Sequence, residues 1–384
     1  MTRGARLRLV LFGLATSFCA SCQAIAAYKP MAPTTAADSV ETTLFLLGDA
    51  GDPGIPGRTS LDGLRHAARA ALGNVVVTFL GDNAYPNGLP APASADRAEA
   101  EARLDAQVSA VRDSKARGIF VPGNHDWGSR EDTGSSAIRR EAEFVARRGK
   151  GAVEMLPADG CPGPSIVDLG DRLRLILLDT EWWLQRSSND ASSNPECAAR
   201  NERDVINALG RALASAGERH TIVGAHHPLV SGGAHGGHFG WRDHIFPLRD
   251  YSGWLWLPLP ALGSAYPMMR ERGLWLEDAS NSANRRMRAA MDSVFTVYRP
   301  LVYAAGHEHN LQVMDGTTAK YLLVSGAGSQ GMLNPVFRLP GTRFARQATG
   351  FMRLDVMRDG RVRLVVLTVD NTGAAIEAYA MWLT

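Results

Sequence analysis

The sequence has no excess of either charge, no internal repeat and almost no cysteine. A formal net charge of +2 over 384 residues gives no general electrostatic case for nucleic acid or an anionic membrane. Without a repeat, solenoids and propellers are set aside. Lysine occurs only four times, so the positive side chains are nearly all arginine. Of the four cysteines, two fall within the first 22 residues, leaving Cys161 and Cys197 for the body of the protein. What remains is 45% hydrophobic and 21% charged, ordinary globular material with ample length for a core.

The amino terminus reads as an address. Arg3, Arg6 and Arg8 precede the apolar run from Leu9 to Phe18, then small residues and Ala24-Ile25-Ala26. This is the pattern of an export signal over residues 1–26, and the run is too short for a comfortable membrane span. Ala20-Ser21-Cys22 also resembles a bacterial lipoprotein processing site, which makes Cys22 a candidate for lipidation. Cys19 departs from that pattern, standing where a branched aliphatic residue is usual. A flexible leader follows over 27–40. In the oxidising compartment of an exported protein, Cys161 and Cys197 are expected to form a disulfide; two separate buried thiols are the alternative.

From residue 41 onward, apolar runs alternate with helical stretches. Strands are expected at 43–47, 75–80, 118–121, 173–178, 220–225, 300–305 and 321–324. Helices are expected near 59–72, 93–117, 135–148, 199–216 and 281–296. Residues 351–357, 361–369 and 375–383 are β-rich, with a hairpin signal at Asp359-Gly360. The alternation points to an α/β architecture without a clear boundary after the leader. Residues 231–280 break the rhythm. Their Trp254–Pro260 stretch and other prolines argue against strand or helix, and suggest an inserted flap or an aromatic loop packed on the body.

Chemistry gathers where the strands end. Successive strands terminate in Asp49, Asp82, Asn124, His226 and the pair His307/His309. Open α/β sheets place ligands beyond the carboxyl ends of their strands. In extended backbone, residues at i and i+2 point the same way, so His307 and His309 are expected to aim at one point. Carboxylate, amide and imidazole together suit Zn, Fe or Mn better than Ca or a structural thiolate site.

The order Gly-Asp, Gly-Asp-Asn-x-Tyr, Gly-Asn-His-Asp, His-x-Pro, Gly-His-x-His resembles the calcineurin-like metallophosphoesterase superfamily. Within it, Gly81-Asp-Asn-Ala-Tyr85 and Gly306-His-Glu-His-Asn-Leu-Gln312 are similar to the small, mammalian-type purple acid phosphatases. The motifs cover about two thirds of the chain, residues 44–312. The resemblance implies a four-layer αββα sandwich of two mixed sheets. It implies an Fe(III) site formed by Asp49, Asp82, Tyr85 and His309. Asp82 would bridge to a second, divalent ion (Fe, Zn or Mn) held by Asn124, His226 and His307. It also implies substrate-side roles for His125 and for His235, with His238 as the rival to His235.

Asp52, Asp126 and Asp179 are expected to support turns or ligands. His66, His220 and His244 have no motif support. The expected activity is hydrolysis of phosphate monoesters by attack of a metal-bound hydroxide, in the periplasm or anchored to the envelope of a bacterial cell. Two alternatives stay open: a phosphodiesterase acting on nucleotide or lipid head-group diesters, and a catalytically silent envelope binding module. The expected partner is a small phosphate ester. A lipid anchor or the Trp254–Pro260 loop offers a route to membrane association.

Overall fold

The structure is a computed structural model describing residues 39–128, 135–185, 196–249, 256–260 and 262–383. The export signal, Cys22, the leader up to residue 38 and Trp254 lie outside the described residues. The chain runs β1 (Val40–Leu47), α1 (Ser60–Ala70), β2 (Asn74–Leu80), α2 (Arg97–Ser114), β3 (Arg117–Val121), α3 (Ser136–Gly149) and β4 (Val153–Met155). It continues through β5 (Ser165–Leu169), β6 (Leu173–Leu177), α4 (Glu181–Leu184), α5 (Glu202–Ala214) and β7 (His220–Gly224). Short helices α6 (Trp241–Ile245) and α7 (Ala265–Glu271) precede α8 (Ser282–Tyr298), β8 (Val302–Ala305), β9 (Leu311–Asp315) and β10 (Tyr321–Ser325). β11 (Thr342–Arg346), β12 (Gly350–Met357), β13 (Val362–Val369) and β14 (Ala375–Leu383) follow.

Two mixed seven-stranded sheets result, ordered β14-β13-β12-β1-β2-β3-β4 and β11-β9-β10-β8-β7-β6-β5. Strands buried on both faces explain the unbroken apolar runs in the sequence. In β1 and β2, Leu44, Leu46, Val76 and Leu80 join a core made only of strand and loop residues, shared with Leu175 and Leu177 of β6 and Ile222 of β7. Their neighbours Phe45, Leu47, Val77 and Phe79 belong instead to a cluster with Leu61 and Leu64 of α1 and Leu104 and Val108 of α2. Alternation of side chains across a strand thus builds four layers, helix–sheet–sheet–helix. The expected αββα sandwich is the observed fold.

Local chemistry sets the helix starts. Thr59 and Asp62 form a capping box on α1, and Asn201 and Asn281 cap α5 and α8 through their side chains. The inserted segment departs from expectation, because it holds α6 and α7 despite its prolines. Pro267 is the third residue of α7, where an amide would have no intrahelical partner in any case. The Asp359-Gly360 signal marks the turn between β12 and β13, with Gly360 at φ 90°.

Strands β1, β2 and β3 run parallel to one another, as do β6, β7 and β8. Their carboxyl ends therefore open on one edge of the sandwich, astride the junction of the two sheets. Cys161 and Cys197 are joined by a disulfide, with Cα atoms 5.5 Å apart. Among the described residues no helix is long and apolar enough to cross a membrane.

Candidate metal centre

Two groups of donor atoms meet at that edge. In the first, Tyr85 Oη lies 3.0 Å from Asp49 Oδ1, 3.1 Å from Asp82 Oδ2 and 3.1 Å from His309 Nε2. In the second, His226 Nε2 lies 2.9 Å from Asn124 Oδ1 and 3.2 Å from His307 Nδ1, which is itself 3.1 Å from Asn124 Oδ1. Asp82 belongs to both, since its Oδ1 is 3.4 Å from His226 Nε2. All seven residues singled out as ligands in the sequence are brought together.

The local backbone explains how. Asp49 and Asp82 leave their strands at φ 59° and 55°, a left-handed turn that aspartate tolerates better than most residues. The glycines before and beside them make room for the donors. A Cβ on Gly81 would sit 2.4 Å from His226 Nδ1, and one on Gly123 would sit 2.3 Å from Asp82 Oδ1. The His307/His309 pair works differently from the extended geometry expected. Residues 307–310 form bends rather than strand, with His307 at φ 67°. The two imidazoles therefore serve neighbouring donor groups instead of one point.

Supporting contacts decide which ring nitrogen faces the centre. His226 Nδ1 is bound to the Leu80 carbonyl at 2.8 Å and His309 Nδ1 to the Met332 carbonyl at 2.8 Å. Both rings thus present Nε2. Asp49 Oδ2 accepts from the His307 amide at 2.7 Å, and Asp82 Oδ1 from the His125 amide at 3.0 Å. Asp126 and Asp179 play the supporting parts expected of them. Asp126 accepts from the amides of Asn83, Ala84 and Gly123 and from the Asn83 side chain; Asp179 accepts from Trp127 Nε1 and the Trp182 amide. The Asp52 amide donates to Ser329 Oγ at 3.1 Å, and the Asp52 carboxylate pairs with Arg103 at 3.5 Å.

The electrostatics show what the cluster lacks on its own. Burial raises Asp82, yet the neighbouring His226 and His125 hold its carboxyl well below the usual range. Burial pulls His226 down, but Asp82 outweighs it and lifts the imidazole to about 10. His309 rises to about 8, because Asp49 overcomes burial. Protons on these imidazoles compensate carboxylates that water cannot reach. Cations would do so better. Ligands bound at about 2.1 Å and at right angles stand about 3 Å apart, the separation seen within both donor groups. The donor set of carboxylate, phenol, amide oxygen and imidazole fits a pair of transition-metal ions.

His227 also approaches the centre, with its ring 4.5 Å from that of His307. Its Nδ1 meets Thr180 Oγ1 at 2.9 Å, its Nε2 lies 3.6 Å from Glu181 Oε2, and with His226 and His307 it forms a buried histidine group that could also hold an ion. His125 stands at the mouth, its Nδ1 2.6 Å from the Pro86 carbonyl and its Nε2 3.9 Å from Asp82 Oδ2. The His235 ring lies 4.1 Å from that of His307, tilted by 46°, whereas His238 lies near Phe337. His220 and His244 bind Gly360 and Ser264 elsewhere, and His66 is exposed on α1.

Four more residues support the site: Glu308 and Gln312 entered the sequence only as part of the histidine motif, and Arg270 and Asp278 carried no signal there. Glu308 accepts from the Gly236 amide and Gln312 from the Gly232 amide, pinning the 231–237 loop to the histidine motif. Asp278 and Arg270, from the inserted segment, reach His235.

The fold is an αββα sandwich with a buried cluster of carboxylate and imidazole donors at one edge. Among solved structures, the chain is similar to GAP50, the anchor in the inner membrane complex of Plasmodium, at 14% identity and a TM-score of 0.55. That match covers 90% of this chain and 89% of GAP50. It is similar to the purple acid phosphatase PPD1 of yellow lupin (Lupinus luteus), at 13% identity and TM-score 0.51, over 91% of this chain. There it spans about half of the plant protein, 54%. PhoD matches at 12% identity and TM-score 0.51, over 90% of this chain and 69% of PhoD. No protein-family model and no curated protein matches the sequence.

Proposed function

We propose that the protein is an exported phosphoesterase that hydrolyses phosphate monoesters with two cations. Fe(III) would sit among Asp49, Asp82, Tyr85 and His309, and a divalent ion among Asp82, Asn124, His226 and His307. The observation that carries this reading is Asp82, whose two oxygens face different donor groups, as those of a carboxylate bridging two cations can. Likeness to PPD1 and PhoD in fold supports it. When bound, such cations polarise phosphoryl oxygens and acidify a water enough for it to attack phosphorus.

The chain's own side chains do the rest. With Nδ1–H donated to the Pro86 carbonyl, His125 as the imidazolium would have its Nε2–H to pass to the departing ester oxygen and would be left as the neutral Nδ1–H ring. His235, beside His307, supplies a second group toward the phosphoryl oxygens. The Cys161–Cys197 bridge favours an oxidising compartment such as the periplasm or envelope.

A second reading, a diesterase for amphiphilic substrates with the insert touching the membrane, draws on exposed apolar side chains there. Trp256, Leu262, Leu274 and Trp275 are among them. A silent scaffold is the third reading, since GAP50, described as an anchor, shares the sandwich. Metal analysis combined with hydrolysis of p-nitrophenyl phosphate and bis(p-nitrophenyl) phosphate separates the three. Two metals and faster monoester cleavage are expected. Faster diester cleavage favours the second reading, and stoichiometric metal with no turnover the third.

A further inference from the structure

Arg270 and Asp278 form a buried pair beside His235, only 8% and 1% exposed. Arg270 Nε donates to Asp278 Oδ2 at 3.0 Å, Nη2 donates to Asp278 Oδ1, and Nη1 donates to Tyr266 Oη at 3.1 Å. The remaining Nη2 hydrogen faces His235 Nδ1 at 2.9 Å, closer than Asp278 Oδ1 at 3.1 Å. A guanidinium can only donate. A proton on Nδ1 would have only the longer contact to Asp278 Oδ1, an oxygen that Arg270 Nε and Nη2 already serve, and would leave the Nη2–H facing it without an acceptor, whereas a lone pair on Nδ1 satisfies that N–H. The neutral ring then carries its proton on Nε2, an atom with no hydrogen bond among the described residues.

We infer that Arg270 and Asp278 are positioning residues of the hydrolytic site: they hold His235 against His307 in the tautomer whose Nε2–H donates to a bound phosphoryl oxygen. The inference rests on the phosphoesterase reading for the identity of that acceptor. Asp278 neutralises the guanidinium and orients it; Arg270 selects the tautomer. Both come from the insert, and the Ala279 amide donates to the His235 carbonyl at 2.8 Å, so the two segments are fastened together. His235 is thereby held by side chains 35 and 43 positions away.

Two measurements on the zinc-loaded full-length protein test this. Nitrogen-15 NMR of the imidazoles, with His235 assigned by its loss in His235→Ala, should show the Nε2–H tautomer in the wild type. Arg270→Met should move it toward Nδ1–H. A wild-type His235 protonated on Nδ1 alone overturns the proposal, even if the variant does not fold. With p-nitrophenyl phosphate, Arg270→Met should lower kcat by about 10²-fold, the size expected of a misplaced group, with KM and metal content kept. In a His235→Ala background the same change should cost nothing more. Additive losses would overturn the positioning role. A wild type that hydrolyses no phosphate ester defeats the phosphoesterase reading instead, and leaves the tautomer measurement standing.

Discussion

Tyr85 Oη and Asp49 Oδ1 lie 3.0 Å apart, and Asp82 Oδ2 is 3.1 Å from the same phenol. Burial and these two carboxylates push the phenol well above its ordinary pKa of 10, so it ionises here only with a cation to hold it. Iron-loaded wild type should therefore show a visible charge-transfer band. Tyr85→Phe should lose the band while keeping most of its metal by elemental analysis. A colourless wild type with bound iron would remove Tyr85 from the ligand set.

His125 Nε2 sits 3.9 Å from Asp82 Oδ2 without belonging to either donor group. His125→Ala is expected to retain both metals and lose about 10²–10⁴-fold in kcat, the usual span for a general acid. Near-normal turnover in steady-state kinetics would exclude it. Asp82→Ala, by contrast, should lose hydrolysis and metal together.

Asp179 gives the stability a pH dependence away from the metal ligands. Burial lifts its carboxyl from 3.8 to about 7, against the pull of the Trp182 amide and Trp127. A folded-state pKa above the unfolded one means stability fully present below pH 3.8 and lost as pH rises through about 7. Asp179→Asn should flatten this decline in urea titrations between pH 4 and 7. An unchanged slope would mean that the group stays ionised in the fold.

The disulfide closes a sequence separation of 36 residues. In the chain-entropy account its loss costs about 4 kcal/mol. Cys161→Ser with Cys197→Ser should show a correspondingly lower unfolding midpoint. Equal gel mobility of the wild type with and without reductant, and two titratable thiols, would speak against the bridge.

Much of the centre was legible because of where it lies. Asp49, Asp82, Asn124 and His226 each follow an apolar run, and such runs arise when a strand is covered on both faces. The hand of the backbone was not legible. Nothing in Gly306-His307-Glu308-His309 announces a left-handed His307: strand spacing alone aims both imidazoles at one target, and only the family resemblance divides them. Strands β4, β5, β9 and β11 were missed, β9 because its Gln312 and Asp315 interrupt the apolar pattern. Prolines concealed α7, since a first-turn proline reads like a breaker. Arg270 and Asp278 stayed hidden for a different reason: an ion pair has no sequence signature until its third partner is known.

Each donor group draws on both sheets. Asp49, Asp82, Tyr85 and Asn124 issue from one, and His226, His307 and His309 from the other. Ion capture would consequently also be a clasp across the sandwich, its free energy opposing any sliding of one half over the other. Trimming the dry layer between them, at Leu80 or Leu177, should therefore weaken ion retention from a distance, although neither side chain touches an ion.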